Sequence, residues 1–312
     1  MYKRLNQPLV SVISVNYRQN EVTLQMLDSL QKCDYKNMEV IVVDNGSNEG
    51  LQELLKIHFP KVKCLVSTQN LGFAGGNNLG LKEARGKYVL FLNNDTEVAP
   101  NFLTPLVEVL EHDPRIGLVS PKIIFYHTEN LVQYAGLGNI HPFTGRGRKR
   151  AFFPKDTGQF DYVAPTQLGH GAAMMVPMEV IKKVGMIAEI FFLYYEEHDW
   201  CEAIKKAGYK VFYVGTSVVY HKESVSVGKE SVQKTYYMAR NRLLYMRRNS
   251  TMLSFLVFLL FFAMFIIPKN TFLFLRKDKI EHLKAFWQGV LWHLFHEQVH
   301  GYPKLRSNAF DK

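Results

Sequence analysis

Cysteine is scarce in this chain of 312 residues, and the scarcity excludes two architectures. Cys33, Cys64 and Cys201 are scattered, odd in number and never spaced as CxxC, so neither a disulfide framework nor a structural zinc site is expected. Reduced thiols suit a cytosolic compartment. Residues 1–10 carry two basic side chains but no apolar stretch, so no secretion signal is expected there. Internal repeats and a low-complexity tail are also lacking. Charge is missing from one long run, residues 252–267.

Apolar residues are plentiful at 47%, enough for a buried core, and the length admits one large domain or two smaller ones. Charge is unbalanced, with 38 Lys+Arg against 28 Asp+Glu and a net charge of +10. That excess predicts an anionic partner. It is concentrated in three clusters: Arg146, Arg148, Lys149 and Arg150; Arg240, Arg242, Arg247 and Arg248; Lys269, Arg276, Lys277 and Lys279. The last two flank the most apolar stretch, which points to a membrane surface and away from nucleic acid.

Strand and helix patterns alternate through the first third. Residues 9–16 form an apolar, β-branched run suited to a buried strand, followed by helical spacing over Val22, Leu24, Met26, Leu27 and Leu30. A second strand over 38–43 ends at Asp44-Asn45-Gly46-Ser47. A helix over 51–59, a strand over 62–67, a helix over 77–85 and a strand over 88–92 follow. This alternation predicts an α/β fold with a mostly parallel central sheet flanked by helices. Beyond residue 100 we expect a helix over 102–111, a strand over 117–124, a long functional loop or lid over 126–165, a helix over 197–207 and a strand over 211–220.

The uncharged run 252–267 stops at Pro268, short of the about 20 residues a spanning helix needs, unless 272–275 extend it after a kink. Basic residues on both sides give the positive-inside bias no orientation to choose, which favours an element entering one leaflet over a clean span. Residues 279–299 place Ile280, Leu283, Phe286, Trp287, Val290, Leu291 and Leu294 at helical spacing, an amphipathic helix. We therefore expect a domain over 1–250 and a hydrophobic and amphipathic membrane-associated segment over 251–312.

In open α/β sheets, ligands bind where strands end at their carboxyl edge. Three such ends here are polar: Asn16-Tyr17-Arg18, Asp44-Asn45-Gly46-Ser47 and Asn93-Asn94-Asp95-Thr96. Asp44 and Asp95 should converge on one cleft, with Asp44 placed to accept from a base or ribose and Tyr17 placed to stack on a base. A single Asp or Asn in such a place is ordinarily a loop cap; three together point to a site. The segment Asn70-Leu-Gly-Phe-Ala-Gly-Gly-Asn77-Asn78 permits close backbone approach and opens a helix N-terminus, which suits phosphate. It is not GxGxxG, and no Walker lysine follows.

Taken in order, Val10-Ser-Val-Ile-Ser-Val-Asn-Tyr17, Val42-Val-Asp-Asn-Gly-Ser47, Asn70-Leu-Gly-Phe-Ala-Gly-Gly-Asn77 and Phe91-Leu-Asn-Asn-Asp-Thr96 strongly resemble the family 2 inverting glycosyltransferases, most closely the rhamnosyltransferase-like members of bacterial polysaccharide assembly. Gly169-His-Gly-Ala-Ala-Met174, the run from Phe191 to Trp200, and His221-Lys-Glu-Ser-Val-Ser226 extend the resemblance over about residues 8–250. It implies the GT-A nucleotide-diphospho-sugar transferase fold. It implies donor contacts at Asn16, Tyr17, Asp44, Asn70, Gly75, Asn77, Asn94, Asp95 and Arg240. It also implies a metal site, for Mg2+ or Mn2+, at Asp95 and His221. The family's DxD element reads Asn93-Asn94-Asp95 here, with an amide at its first position. Glu197 stands where the usual base is an aspartate, and Asp199 is the second catalytic candidate.

Those placements agree with the chemistry. A diphosphate leaving group needs its charge neutralised, and a hard divalent ion does this. Inversion needs one base to take the acceptor hydroxyl's proton. The bland reading of Glu196, Glu197 and Asp199 is an acidic first turn favoured by the helix dipole. The implied partners are a nucleotide-diphosphate sugar donor and a glycan or lipid-linked glycan acceptor. The implied place is the cytoplasmic face of a bacterial inner membrane, held peripherally or monotopically. Two other functions fit parts of the pattern: nucleotidyl transfer, which would want an arginine-bearing GxG loop after the first strand, and a non-catalytic membrane-surface binding module.

Overall fold

The computed structural model describes residues 7–136, 140–147, 154–222 and 231–296. Arg148, Lys149 and Arg150 of the first basic cluster, residues 223–226 of the family-like segment and residues 297–299 of the amphipathic run lie outside the described residues.

The apolar runs near the N-terminus become β1 (Val10–Asn16), β2 (Met38–Asn45), β3 (Lys63–Ser67) and β4 (Tyr88–Leu92). They pair in parallel in the order β3-β2-β1-β4. The crossovers are α1 (Asn20–Gln31), α2 (Leu51–His58) and α3 (Gly72–Leu81). Alternate strand residues enter two apolar layers: Val12, Val42 and Leu90 join one, Ile13, Ile41 and Phe91 the other. The helix predicted from residue 77 starts earlier, at Gly72, inside the glycine-rich segment. Its glycines let it lie against the sheet. A side chain at Gly76 would meet Val15 Cγ1 at 2.8 Å, and one at Gly80 would meet Ile13 Cγ2 at 2.6 Å.

The second half of the sheet is mixed. After β5 (Thr96–Val98) and α4 (Leu103–His112) come β6 (Ile116–Phe125), β7 (Val132–Tyr134), β8 (Val163–Thr166), β9 (Ala173–Pro177), α5 (Met178–Val184), α6 (Glu196–Lys206) and β10 (Lys210–His221). The full order is β3-β2-β1-β4-β9-β6-β10-β5, with β7 on β6 and β8 on β10. β9 is antiparallel to both β4 and β6, so the parallel arrangement is confined to the first four strands and the β6–β10 pair.

Residues 126–165, read as a loop or lid, are stitched to the sheet among the described residues. β7 and β8 lie in or at the end of this stretch, and Leu131 bridges Lys155. Lys122 on β6 is 2% exposed and is ion-paired with Asp156 at 2.5 Å and with Asp161. A buried ammonium needs such partners, and they anchor the excursion.

α7 (Val232–Asn249) leads into the C-terminal helices α8 (Met252–Phe261), α9 (Ile267–Arg276) and α10 (Ile280–Phe295). α8, a π-helical turn over Phe262–Ile266 and α9 form one continuous helix, Met252–Arg276, that runs through Pro268. The kink or stop expected there is absorbed by the wider turn. Proline lacks an N–H and its ring crowds the carbonyl four residues back, and a π turn relieves both demands. Among the described residues this is the one helix long and apolar enough to cross a membrane. Phe258, Phe262 and Ile266, one helical stripe, are buried, with the Arg242 guanidinium 5.8 and 5.3 Å from the two ring centres. Met252, Leu253, Leu256, Leu260, Met264 and Phe265 stay exposed. α10 returns along α7: His293 Nε2 lies 2.9 Å from the Arg240 carbonyl oxygen and His282 Nδ1 lies 2.8 Å from Thr235 Oγ1. The boundary expected at residue 250 therefore runs through a packed interface.

Candidate active site

β1 and β2 end level, with Asn16 opposite Asp44. Asn16 is buried, and its Oδ1 accepts from Thr23 Oγ1 at 2.9 Å. Asn94 Nδ2 donates to Thr23 Oγ1 at 3.1 Å and to Asn16 Oδ1 at 3.5 Å. These two amides tie the ends of β1 and β4 together. Asp44, also buried, accepts from Ser47 N at 3.3 Å. Ser47 Oγ accepts from Arg18 N at 2.9 Å, which brings half-buried Tyr17 to the Asp44 turn. Asn70 Oδ1 accepts from Gly72 N at 2.8 Å and opens α3. It is held by Asn45, whose Oδ1 accepts from Leu71 N at 2.9 Å and whose Nδ2 reaches Asn70 Oδ1 at 3.1 Å.

Asp95 and His221 meet at the other end of the same edge. Asp95 Oδ1 lies 3.2 Å from His221 Nε2. His221 Nδ1 lies 2.8 Å from Gln133 Oε1. A proton on Nδ1, donated to Gln133, leaves Nε2 presenting a lone pair to a carboxylate oxygen. Asp95 Oδ1 is buried without a hydrogen-bond partner. Two facing acceptors fit a divalent cation, with Gln133 fixing the tautomer of the histidine. Among the described residues no group of three or more His, Cys, Asp or Glu side chains could hold an ion. The remaining coordination would come from outside the protein, as phosphate oxygens can provide.

Glu197 approaches from α6. Its side chain is 18% exposed, and Oε1 lies 3.2 Å from His198 Nδ1. Burial favours the protonated acid, but the adjacent His198 and, more weakly, His170 override it and hold Glu197 below the usual carboxylate range. Glu196, one residue earlier, is pushed well above that range by burial and by the Glu197 charge. The two neighbouring carboxyls are thereby shifted in opposite directions. Residues 170–172 touch both halves of the site. The His170 ring lies 6.0 Å from that of His221. A Cβ on Gly171 would lie 3.7 Å from Glu197 Oε1, and the Ala172 carbonyl accepts from Asn93 N at 2.9 Å. Burial and the His221 ring push the His170 imidazole down to about 3, while Glu197 and Asp95 pull it the other way. Both carboxylates therefore act on one imidazole.

The family model for glycosyl transferase family 2 matches residues 11–185, more than half of the chain. The chain belongs to this family. The sequence is 28% identical over 256 residues to the uncharacterized protein y4gI of Sinorhizobium fredii, covering 77% of this chain but 27% of that protein. It is 26% identical over 246 residues to the low-salt glycan biosynthesis hexosyltransferase Agl10 of Haloferax volcanii, covering 75% of this chain and 74% of that one. It is 24% identical over 246 residues to the N-acetylglucosaminyl-diphospho-decaprenol L-rhamnosyltransferase of Mycobacterium tuberculosis, covering 71% and 78%. Among solved structures, GalNAc-T7 with UDP, GalNAc and Mn2+ superposes with a TM-score of 0.60 at 18% identity, covering 78% of this chain and 52% of the other. The mannosyltransferase PcManGT of Pyrobaculum calidifontis, in complex with GDP-Man and Mn2+, gives 0.56 at 18% identity, covering 94% and 77%. These likenesses show the GT-A fold.

In this family 2 glycosyltransferase, several of the residues expected at the donor or in catalysis make contacts within the scaffold. Asp199 is fully buried and clamped by Arg248, with Nε to Oδ1 at 3.0 Å, and by Asn249 Nδ2 at 2.6 Å. A carboxylate committed to a buried guanidinium is poorly placed to act as a base. Arg240 donates through Nη2 to the carbonyls of Ile190 (2.6 Å) and Phe191 (2.7 Å), and its guanidinium lies over Tyr237 and Trp292. Its Nε donates to Asn241 Oδ1 at 2.8 Å, so two of the three guanidinium nitrogens are engaged within the protein. With Arg242 and Arg248 also buried, Arg247 is the member of the second basic cluster that stays exposed. Gly75 sits inside α3, where a side chain would strike Leu71, and Asn77 Nδ2 donates to the Phe73 carbonyl at 2.9 Å within the helix. Three contributors escaped the sequence reading as site residues. Gln133 lies in the stretch taken for a loop. His170 was visible only inside a motif. Asn78 joins α3 to residues 187–189 through Ile187 O at 2.8 Å and Glu189 Oε1 at 2.9 Å.

Proposed function

We propose that this glycosyltransferase moves a sugar, with inversion, from a nucleotide-diphosphate donor to a lipid-linked or membrane-proximal glycan in cell-surface polysaccharide synthesis. Thymidine-linked rhamnose is the first donor to test, supported by the resemblance and by the L-rhamnosyltransferase activity for which the mycobacterial relative is named. One observation carries the reading: Glu197 lies against Gly171 of the short loop 170–172, and the segment carrying Asp95, with its buried carboxylate oxygen, is bonded to the same loop through Asn93 N and the Ala172 carbonyl. Asp44 and Tyr17 receive the base and ribose at the level ends of β1 and β2. Asp95 and His221 hold the divalent ion, Mg2+ or Mn2+; two solved neighbours carry Mn2+. When bound, that ion neutralises charge on the departing diphosphate. Glu197 accepts the proton of the acceptor hydroxyl as it attacks.

The proposed location is the cytoplasmic face of the bacterial inner membrane, bound monotopically. Both ends of the helix Met252–Arg276 return to the catalytic body, one through α7 and the other through α10, and one stripe lies on that body. This favours a helix lying in one leaflet over a span. Its exposed apolar side, with exposed Lys269, Arg276 and Lys277, suits anionic headgroups.

The test is a panel of nucleotide sugars, including dTDP-rhamnose, assayed for nucleoside diphosphate release with Mg2+ or Mn2+. Glu197→Gln should bind the donor with unchanged affinity and lose at least a hundredfold in turnover, within the range general-base removal produces, about 10²–10⁴. Asp95→Asn should raise the metal concentration needed for half-maximal rate. Full turnover by Glu197→Gln would sink the base assignment.

A further inference from the structure

Between β9 and α6 the chain makes a turn that L-residues rarely adopt. Phe192, Tyr194 and Tyr195 all have positive φ, at 62°, 70° and 73°. Tyr195 is the residue from which α6 starts, so this turn sets where Glu197 emerges. Such conformations persist where surrounding groups over-determine them. Here five consecutive carbonyls accept from outside the turn. Arg240 Nη2 donates to Ile190 and Phe191. Phe73 N, in the first turn of α3, donates to Phe192 at 2.7 Å. Asn241 Nδ2, fully buried, reaches Phe191 at 2.9 Å, Leu193 at 2.7 Å and Tyr194 at 2.8 Å. Phe192 also stacks on Tyr237 of α7, with centroids 5.1 Å apart.

We propose that Asn241 is a positioning residue for the transfer reaction: its amide holds the 192–195 turn in its left-handed geometry and so fixes Glu197 against the donor side of the cleft. This rests on the assignment of Glu197 as base. An asparagine suits the task because its amide nitrogen is a donor with two hydrogens and no charge to bury beside the carbonyls. The same turn receives the amide of Phe73, so the clamp also ties the base to the glycine-rich opening of α3. A loosened turn would displace the base while the Asn16 and Asp44 end of the site, held by its own bonds to Thr23 and Ser47, stays assembled.

The experiment compares full-length wild type, Asn241→Ala, the double variant Asn241→Ala/Tyr194→Gly, and Glu197→Gln. Deuterium exchange is followed over residues 189–200, and kcat and KM are measured with dTDP-rhamnose and Mn2+. Asn241→Ala should exchange faster over that stretch alone, lose at least tenfold in kcat and keep the donor KM within threefold. Glycine adopts positive φ without steric penalty, so Tyr194→Gly should recover part of both losses. Unchanged exchange in Asn241→Ala, or loss of protection across the whole chain with no recovery in the double variant, would overturn the proposal. Full kcat in Asn241→Ala while Glu197→Gln is inactive overturns it too. Activity in Glu197→Gln instead overturns the base assignment, and the exchange data still decide whether Asn241 holds the turn.

Discussion

Burial of Glu196, 4% exposed and beside the Glu197 charge, pushes its carboxyl well above the ordinary carboxylate range. In the unfolded chain the same carboxyl ionises near its ordinary value of 4.5. Above that pH the native state holds a proton that the unfolded state has released. The stabilisation is therefore fully present below pH 4.5 and is lost as pH rises towards the folded value, at about 1.4 kcal/mol per pH unit for one proton. Glu196→Gln mimics the protonated acid at every pH. Its melting temperature should match wild type near pH 4.5 and exceed it increasingly as pH rises above that value; parallel curves would remove Glu196 from the account. At this scale the sequence was partly legible. Asp44, Asp95 and Glu197 could be placed from sequence, since each stands at a strand end or in the first turn of a helix. The partners of Asp199 and Arg240 could not, because Arg248, Ile190 and Phe191 are distant in sequence and only folding brings them together.

Among the elements, α3 lies close on β1 and β2 through its glycines. At Gly80, an added methyl would meet Ile13 Cγ2 at 2.6 Å and Val43 Cγ2 at 3.3 Å. Gly80→Ala gains helix propensity worth up to about 1 kcal/mol, but overpacking costs about 1–3 kcal/mol. The balance should be a net loss, read as a lower urea midpoint with unchanged slope. A stabilised variant would mean that α3 can ride outward without penalty. β1, β2 and β4 were legible because a strand buried in the middle of a parallel sheet reads as a near-continuous apolar run. β9 was not, since Ala-Met-Met-Val-Pro carries neither alternation nor β-branched enrichment, and its antiparallel insertion depends on where the excursion after β6 returns. Three-residue β7, which carries Gln133, is too short to leave any period.

For the whole molecule, the proposed membrane contact belongs to the C-terminal helices. Leu256 and Leu260 are exposed on the side of the helix away from Phe258 and Phe262. Leu256→Asp/Leu260→Asp should leave the melting temperature within a degree or two and abolish co-sedimentation with vesicles containing anionic lipid. In wild type, raised salt should weaken that association only in part, since screening reaches the lysines and arginine but not the apolar side. Retained binding by the double variant would refute a membrane role for this surface. The apolar character of this helix was plain in the sequence; its full length, Met252–Arg276, was not, because the uncharged run stops at Pro268. Its passage through Pro268 was not, because a π turn is a backbone adjustment with no residue signature of its own.

A helix fastened to the body at both ends and along one side has a consequence for search. If it floats in a leaflet, the enzyme is confined to two dimensions and cannot tumble freely about axes lying in that plane. Its cleft then keeps one height above the lipid and one bearing towards it. Encounter with a lipid-borne acceptor is governed by how densely that acceptor populates the leaflet, while the nucleotide sugar still arrives from bulk water, so the two substrates are sampled by different kinds of diffusion.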